Sequence, residues 1–363
     1  MMHSPPDPAL RFCAIFADGS GHLISDHRAQ VAPASVAGKA VPVTLADRAD
    51  APNGYLVCPS VAYIDYAIEE TRAFSHAPLL RTSLNGLIRA ARPVLRATGL
   101  DHQVQVNNWL LSTNHTPDVP PDAVLGLMRD MAAAYPDRAV TLRSLNDQAD
   151  LGLLTVLAKG GAVLLPARQV WLWTAERGAC RRNVRRDAEA LRTTPLTRVA
   201  GHTFTPEDFA TAAALYGQLY LQKYTPLNPH YTPAYLEAMH RAGLMRLTGL
   251  RDRNGALVGV LGTVSLNGLL TAPIVGYRTD LPQALGLYRL LIACAMDQAR
   301  AENLPLNISA GAADFKRNRG AMAAIEYTAV LVNHLPLPNR LATAMLAALL
   351  ARVGLPIMRR YGL

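Results

Sequence analysis

Cysteine is scarce and scattered. The four present, Cys13, Cys58, Cys180 and Cys294, lie far apart and form no C-x-x-C pair. That argues against a disulfide scaffold and against a cysteine-based zinc site. The ten histidines show no H-x-x-x-H or H-E-x-x-H spacing, so no metal is expected. Charged residues are thin at 17%, against roughly 25% in an average soluble chain. The 50% hydrophobic content nevertheless excludes a disordered, highly charged polymer. No uninterrupted apolar run reaches the roughly 18 residues that suggest a membrane span. The stretch Met1 to Leu10 has neither a basic n-region nor an apolar h-region, so it does not read as a secretory signal. There is no short-period repeat and no low-complexity tract. These absences leave a reduced, cytoplasmic protein without stable membrane insertion as the expectation.

What is present is length and positive charge. The chain has 363 residues, room for two domains at about 150 residues each. The net charge is +9 and the isoelectric point near 9.6, a balance that attracts phosphates, nucleic acid, anionic membrane or acidic proteins. Arg177, Arg181, Arg182, Arg185, Arg186 and Arg192 form one dense cluster. It reads either as a solvated helix face or as a docking face for a polyanion such as tRNA, an acidic carrier protein or a phosphorylated cofactor.

Strands and helices alternate along the first half, which predicts a mixed α/β sheet. Strands are expected at Leu10–Phe16, Tyr55–Cys58, Gln103–Leu111, Val140–Leu142, and as a pair, Ala162–Leu165 and Gln169–Thr174, around Pro166. Helices are expected at Pro78–Ala97, Pro121–Tyr135, Asn146–Lys159 and over 178–192. A turn-rich stretch, Thr193–Pro206, marks the boundary. The second half orders as helix (Pro206–Lys223), helix (Thr232–Ala242) and three antiparallel strands (Met245–Arg251, Leu257–Leu266, Leu269–Tyr277). Helix Gly286–Asn303, strand Leu306–Ser309, a helix or turn at Asp314–Ala324 and strand Thr328–Val332 follow. Asn254-Gly255 is a strong hairpin signal between the first two of those strands. The expected domains are 1–192, 193–335, and a C-terminal segment 336–363. Its core, Leu341–Val353, is apolar on nearly all sides and too short to span a bilayer. A helix docked on its own domain or on a dimer partner is the first reading there, an interfacial membrane helix the second.

Residues about 206–335 resemble the GNAT acyltransferase fold, and more narrowly the acetyltransferase-like domain found beside the Fem aminoacyltransferases. The resemblance is carried by the Asp252–Gly262 hairpin, Tyr277, Gly286–Leu291, Ser309-Ala310-Gly311 and Phe315-Lys316-Arg317. It implies two α/β lobes, the first a degenerate copy of the second. In Fem-type enzymes the lysine of a comparable F-K pair stabilises negative charge during acyl transfer, and Lys316 stands at that place. GNAT enzymes carry Q/R-x-x-G-x-G/A before a helix. Here the run is Gln283, Gly286, Leu287 and Tyr288, with Tyr288 bulky where Gly or Ala is usual. Such a loop works because backbone N–H groups at a helix start face an anion, and glycine lets the backbone approach a pyrophosphate. Gly286 otherwise simply caps a helix. The implied co-substrate is acyl-CoA or acetyl-CoA.

Acyl transfer to an amine needs a base, donors for the carbonyl oxygen and a held donor. Glu326, between Ile325 and Tyr327, is the candidate base; its plainer reading is an exposed carboxylate pairing with Arg317 or Arg319. Asp314 reads best as a helix cap. Lys316, Arg317 and Arg319 supply positive charge, or a solvated surface. Tyr277 either protonates a leaving thiolate or closes the core. Tyr224, His230 and Ser309 are candidates for the acceptor pocket. Asn107-Asn108-Trp109 with Ser112 to Asn114, and Arg143 to Asn146, line a cleft or are turn chemistry. The expectation is an N-acyltransferase that moves an acyl group from acyl-CoA or an acyl-carrier protein to a small amine. The alternatives are a Fem-like enzyme using aminoacyl-tRNA and a binding protein whose lobe has lost catalysis.

Overall fold

The computed structural model describes residues 7–46, 54–74 and 77–362. Residues 1–6, part of the stretch read for a leader, lie outside the described residues. The chain forms two compact units. Unit 1 comprises residues 7–21, 26–169 and 325–362 of those described, and unit 2 His22–Ser25 with Val170–Ala324. The partition differs from a break at 192/193. The arginine-bearing segment belongs to unit 2, and the C-terminal segment returns to unit 1. The mixed α/β class is as expected.

In unit 1 an antiparallel hairpin, β1 (Ala29–Val36) and β2 (Lys39–Ala46), runs on to β3 (Gln103–Val106), antiparallel to β2. Helix Pro121–Ala134 then returns the chain to β4 (Ala139–Asn146), parallel to β3. Helix Leu151–Lys159 leads into β5 (Val163–Trp173). In unit 2, after helices Ala175–Ala179 and Arg182–Thr193, β6 (Thr197–Ala200) starts the same pattern, antiparallel to the strand that follows. β7 (Arg246–Arg251), β8 (Leu257–Leu266) and β9 (Leu269–Tyr277) are antiparallel; helix Leu287–Glu302 returns to β10 (Leu306–Asn307), parallel to β9. A short helix, Ala313–Arg317, then leads to β11 (Met322–Leu331). The last strand of each pattern crosses over. The end of β5 pairs with β10 in unit 2, and β11 from Glu326 onward pairs with β4 in unit 1. Each unit buries its own apolar cluster, around Val104, Val140, Leu142 and Met128 in unit 1 and around Trp173, Leu291 and Cys294 in unit 2.

Four expectations need correction. Leu10–Phe16 is the end of helix Pro8–Ile15, not a strand; Ala9, Phe12, Cys13 and Phe16 are buried at helical spacing, and the Asp7 side chain accepts from Ala9 N–H at 2.7 Å. Tyr55–Cys58 is a turn leading into a helical stretch. Pro166 does not split a strand pair, because one eleven-residue strand runs through it. Finally, the apolar C-terminal helix is longer than the segment read from sequence: it runs over Leu337–Tyr361, 25 residues of mean hydropathy 1.8 in its most apolar stretch, long enough to cross a membrane by length and composition. A wider, π-type turn at Leu350–Gly354 resets the hydrogen-bond ladder ahead of Pro356, so the proline does not end the helix.

Candidate active site

The period of two along a strand sends alternate side chains to one face. In unit 1 that face carries polar residues where a buried sheet normally carries aliphatic ones. Gln103 and Gln105 of β3, Thr141 and Arg143 of β4, and Glu326 and Thr328 of β11 all line a cavity of about 220 Å³. Local backbone chemistry sharpens the placement. Arg143 and Ser144 together oppose the single Thr328, and Ser144 sits at φ +68°, in the left-handed region. This is a β-bulge held by a non-glycine residue, a device that re-aims side chains near functional sites. The Asn114 backbone N–H donates to Ser144 Oγ at 3.0 Å and fixes the bulge.

The polar end gathers one buried carboxylate, Glu326, with partly buried charged side chains around it. Glu326 is 2% exposed. Its Oε2 accepts from Arg168 Nε at 2.6 Å, while its buried Oε1 has no hydrogen-bond partner among the described residues. Arg168 also donates to Ser112 O at 2.5 Å and Thr113 Oγ1 at 2.8 Å. Burial works against the charge of Arg168, but the Glu326 carboxylate prevails and holds its pKa above the ordinary value. Arg143 donates to Leu56 O at 2.9 Å, and burial lowers its pKa. Burial raises the Tyr55 phenol against the pull of Arg168 and Arg143. Tyr63, which donates to Thr328 Oγ1 at 3.4 Å, is pushed up to about 12 by burial. Glu70 also lines the cavity; burial pushes its carboxyl up to about 7, against the opposing pull of Arg168. Two guanidiniums therefore face one paired carboxylate and one carboxyl poised near neutrality. Such perturbed groups gathered in a concave site mark a functional candidate.

The other end is apolar. Leu84, Leu87 and Ile88 of helix Pro78–Thr98 line it together with Leu346, Leu350 and Ile357 of the C-terminal helix. The cavity thus has the form of an amphiphile: an alkyl-sized wall leading to a charged end.

Of the residues singled out in the sequence, Glu326, Arg143 and Ser144 meet in this cavity. The plainer reading of Glu326 is corrected: its partner is Arg168, not Arg317 or Arg319. Asn108 and Trp109 are buried and do not line the cavity. Asn108 bonds to Gln105, and Trp109 Nε1 donates to Asn107 Oδ1 at 2.9 Å, because the loop satisfies its own polar groups. Ser112 and Thr113 of the same loop instead hold Arg168.

The remaining candidates lie in unit 2. Gln283 is exposed, Gly286 opens helix Leu287–Glu302 at φ +63°, and Leu287 is buried in the unit's core. The Tyr288 ring rests on Phe315, centroids 5.0 Å apart, and burial raises its pKa. The Tyr224 and Tyr277 phenols add to that rise. Lys316 is buried and donates to Ser309 O at 3.0 Å and Ala310 O at 2.8 Å, which ties down its own loop. Arg317 pairs with Asp314 at 2.5 Å over the Trp171 ring. The His230 ring nitrogen Nε2 lies 2.7 Å from Pro226 O. Arg177, Arg181, Arg182, Arg185, Arg186 and Arg192 are exposed. Among the described residues no group of three or more His, Cys, Asp or Glu is placed to hold a metal.

Tyr55, Tyr63, Glu70 and Arg168 escaped the sequence reading. What the sequence did signal, faintly, is the polar sheet face of the cavity: Gln-Val-Gln-Val over Gln103–Val106 and Glu-Tyr-Thr over Glu326–Thr328 put polar side chains at every second position.

No family model matches the chain, and no curated protein does. Solved structures similar to it include L-PGS from Bacillus licheniformis, at 13% identity and a TM-score of 0.47 over 68% of this chain and 83% of that one. FemX is similar at 10% identity and a TM-score of 0.45, over 63% of this chain and 85% of that one. A GCN5-related N-acetyltransferase from Kribbella flavida is similar at 16% identity and a TM-score of 0.36, over 65% and 83%.

Proposed function

We propose that the protein is an acyltransferase that moves an acyl group from an activated carboxyl donor, an acyl-thioester such as acyl-CoA or acyl-carrier protein, to an amine, and that the reaction occurs in the unit 1 cavity. One observation carries the reading: the same cavity joins an apolar wall to Glu326 Oε1, a buried acceptor without a partner among the described residues, beside Arg143, Arg168 and Glu70. The apolar wall takes the alkyl chain. Glu326 Oε1 accepts an N–H of the amine and aims its lone pair at the carbonyl carbon. As the C–N bond forms, the carbonyl electron pair moves to oxygen, and the partly buried guanidinium of Arg143 faces that charge. Glu70, poised near neutrality, takes the proton the nitrogen sheds. The C–S bond then breaks, and the thiolate leaves with a proton returned by Glu70.

The test is turnover of acyl-CoAs of increasing chain length with a panel of amines. Long chains are expected to be used best. Glu326→Gln and Glu70→Gln are each expected to lower kcat at least about 100-fold, the usual scale of acid–base catalysis. Equal use of acetyl and long-chain donors, or full activity in both variants, contradicts the proposal.

A further inference from the structure

The outward faces of the two helices that wall the cavity are unusual in charge and in exposure. Helix Pro78–Thr98 carries Arg81, Arg89, Arg92 and Arg96; helix Leu337–Tyr361 carries Arg340, Arg352, Arg359 and Arg360; neither contains Asp, Glu or Lys. After Glu326 the chain has no acidic residue at all. Arg92 is bound to Asp65 at 2.5 Å, but Arg89, Arg96, Arg340, Arg352, Arg359 and Arg360 are exposed. Large apolar side chains stand among them: Leu79 is 85% exposed, Met345 60%, Leu337 59% and Leu341 55%. Leu337, Leu341 and Met345 recur every four residues and so form one stripe along the C-terminal helix. Water gains nothing from such a stripe, and a single-signed basic rim repels a second copy of itself.

We infer that this helix pair docks flat on an anionic lipid bilayer. Leu79, Leu337, Leu341 and Met345 enter the boundary between headgroups and acyl chains, while the arginine rim meets lipid phosphates. The inner faces of the same helices, through Leu84, Ile88, Leu346 and Leu350, line the apolar end of the cavity. Docking therefore brings that end beside the acyl-chain layer of the membrane. The surface is argued from exposure and charge alone and does not depend on the chemistry proposed for the cavity.

The test is sedimentation of the full chain with phosphatidylcholine vesicles, with and without phosphatidylglycerol. Binding is expected to require phosphatidylglycerol and to fall as salt is raised. Arg359→Gln with Arg360→Gln is expected to weaken it on the order of tenfold or more. Leu79→Glu, Leu341→Glu and Met345→Glu together are expected to abolish it. Near-ultraviolet circular dichroism and turnover of a soluble short-chain substrate should stay unchanged in these variants, since none of the five residues lines the cavity; docking and chemistry therefore fail separately. Binding that ignores phosphatidylglycerol, or that survives the triple substitution, overturns the inference. So does a soluble dimer that the triple substitution turns into monomer, or retention that resists high salt and yields only to detergent, which marks a spanning helix.

Discussion

At the scale of single residues, burial decides which ionisable groups become useful. Glu70 has an ordinary value of 4.5 that rises to about 7 in the fold. Between those values the folded protein keeps a proton that the unfolded chain has released, so stability falls as pH rises from about 4.5 to about 7 and levels off above. Glu70→Gln is expected to flatten that slope in denaturation midpoints taken across the interval. In turnover, the wild type should show an ascending limb with an apparent pKa near 7 that the variant lacks. Arg168 poses a different case, since it neutralises a carboxylate almost wholly out of water. Arg168→Met leaves Glu326 buried and unpaired, at an expected cost of about 3–5 kcal/mol. Adding Glu326→Gln should restore much of that loss in urea unfolding, because the stranded charge is gone. A double variant no more stable than Arg168→Met alone would contradict the assigned pairing.

At the scale of elements, the sequence was informative where local rules act alone. Helix Pro206–Gly217 begins at a capping box between Thr205 and Asp208, and β7 and β8 turn through Asn254-Gly255; both follow from residues near in the chain. It was uninformative where distant partners decide. The β1–β2 hairpin turns through Ala37 and Gly38, both at positive φ, with Pro33 and Pro42 facing each other across the strands, a pairing no short-range signal announces. Glu326 stood out as an acidic residue between Ile325 and Tyr327, just ahead of an expected apolar strand, yet its partner lies 158 residues away and was invisible until the sheet brought the two together. Close packing of elements offers its own test. A Cβ on Gly276 of β9 would lie 2.6 Å from the Leu215 carbonyl carbon, so only glycine lets helix Pro206–Gly217 approach that strand. Gly276→Ala is expected to destabilise by about 1–3 kcal/mol, the usual penalty of overpacking, measured by thermal or chemical unfolding. An unchanged midpoint would show that the helix can slide away freely.

At the scale of the whole molecule, the strand–helix–strand pattern occurs twice, and its two occurrences differ in what they bury. Unit 2 spends its sheet face on an apolar cluster around Trp173 and Leu291, whereas unit 1 spends part of one on glutamines, arginines and a carboxylate around a cavity. The most direct measurement is photo-crosslinking of the intact protein with an acyl-thioester that carries a photoreactive group at the end of its alkyl chain, followed by peptide mapping. The account predicts label on residues 84–91 and 346–358, the apolar wall of the unit 1 cavity. Label confined to the turn around Gly286 and Tyr288, or spread over the surface without preference, would contradict it.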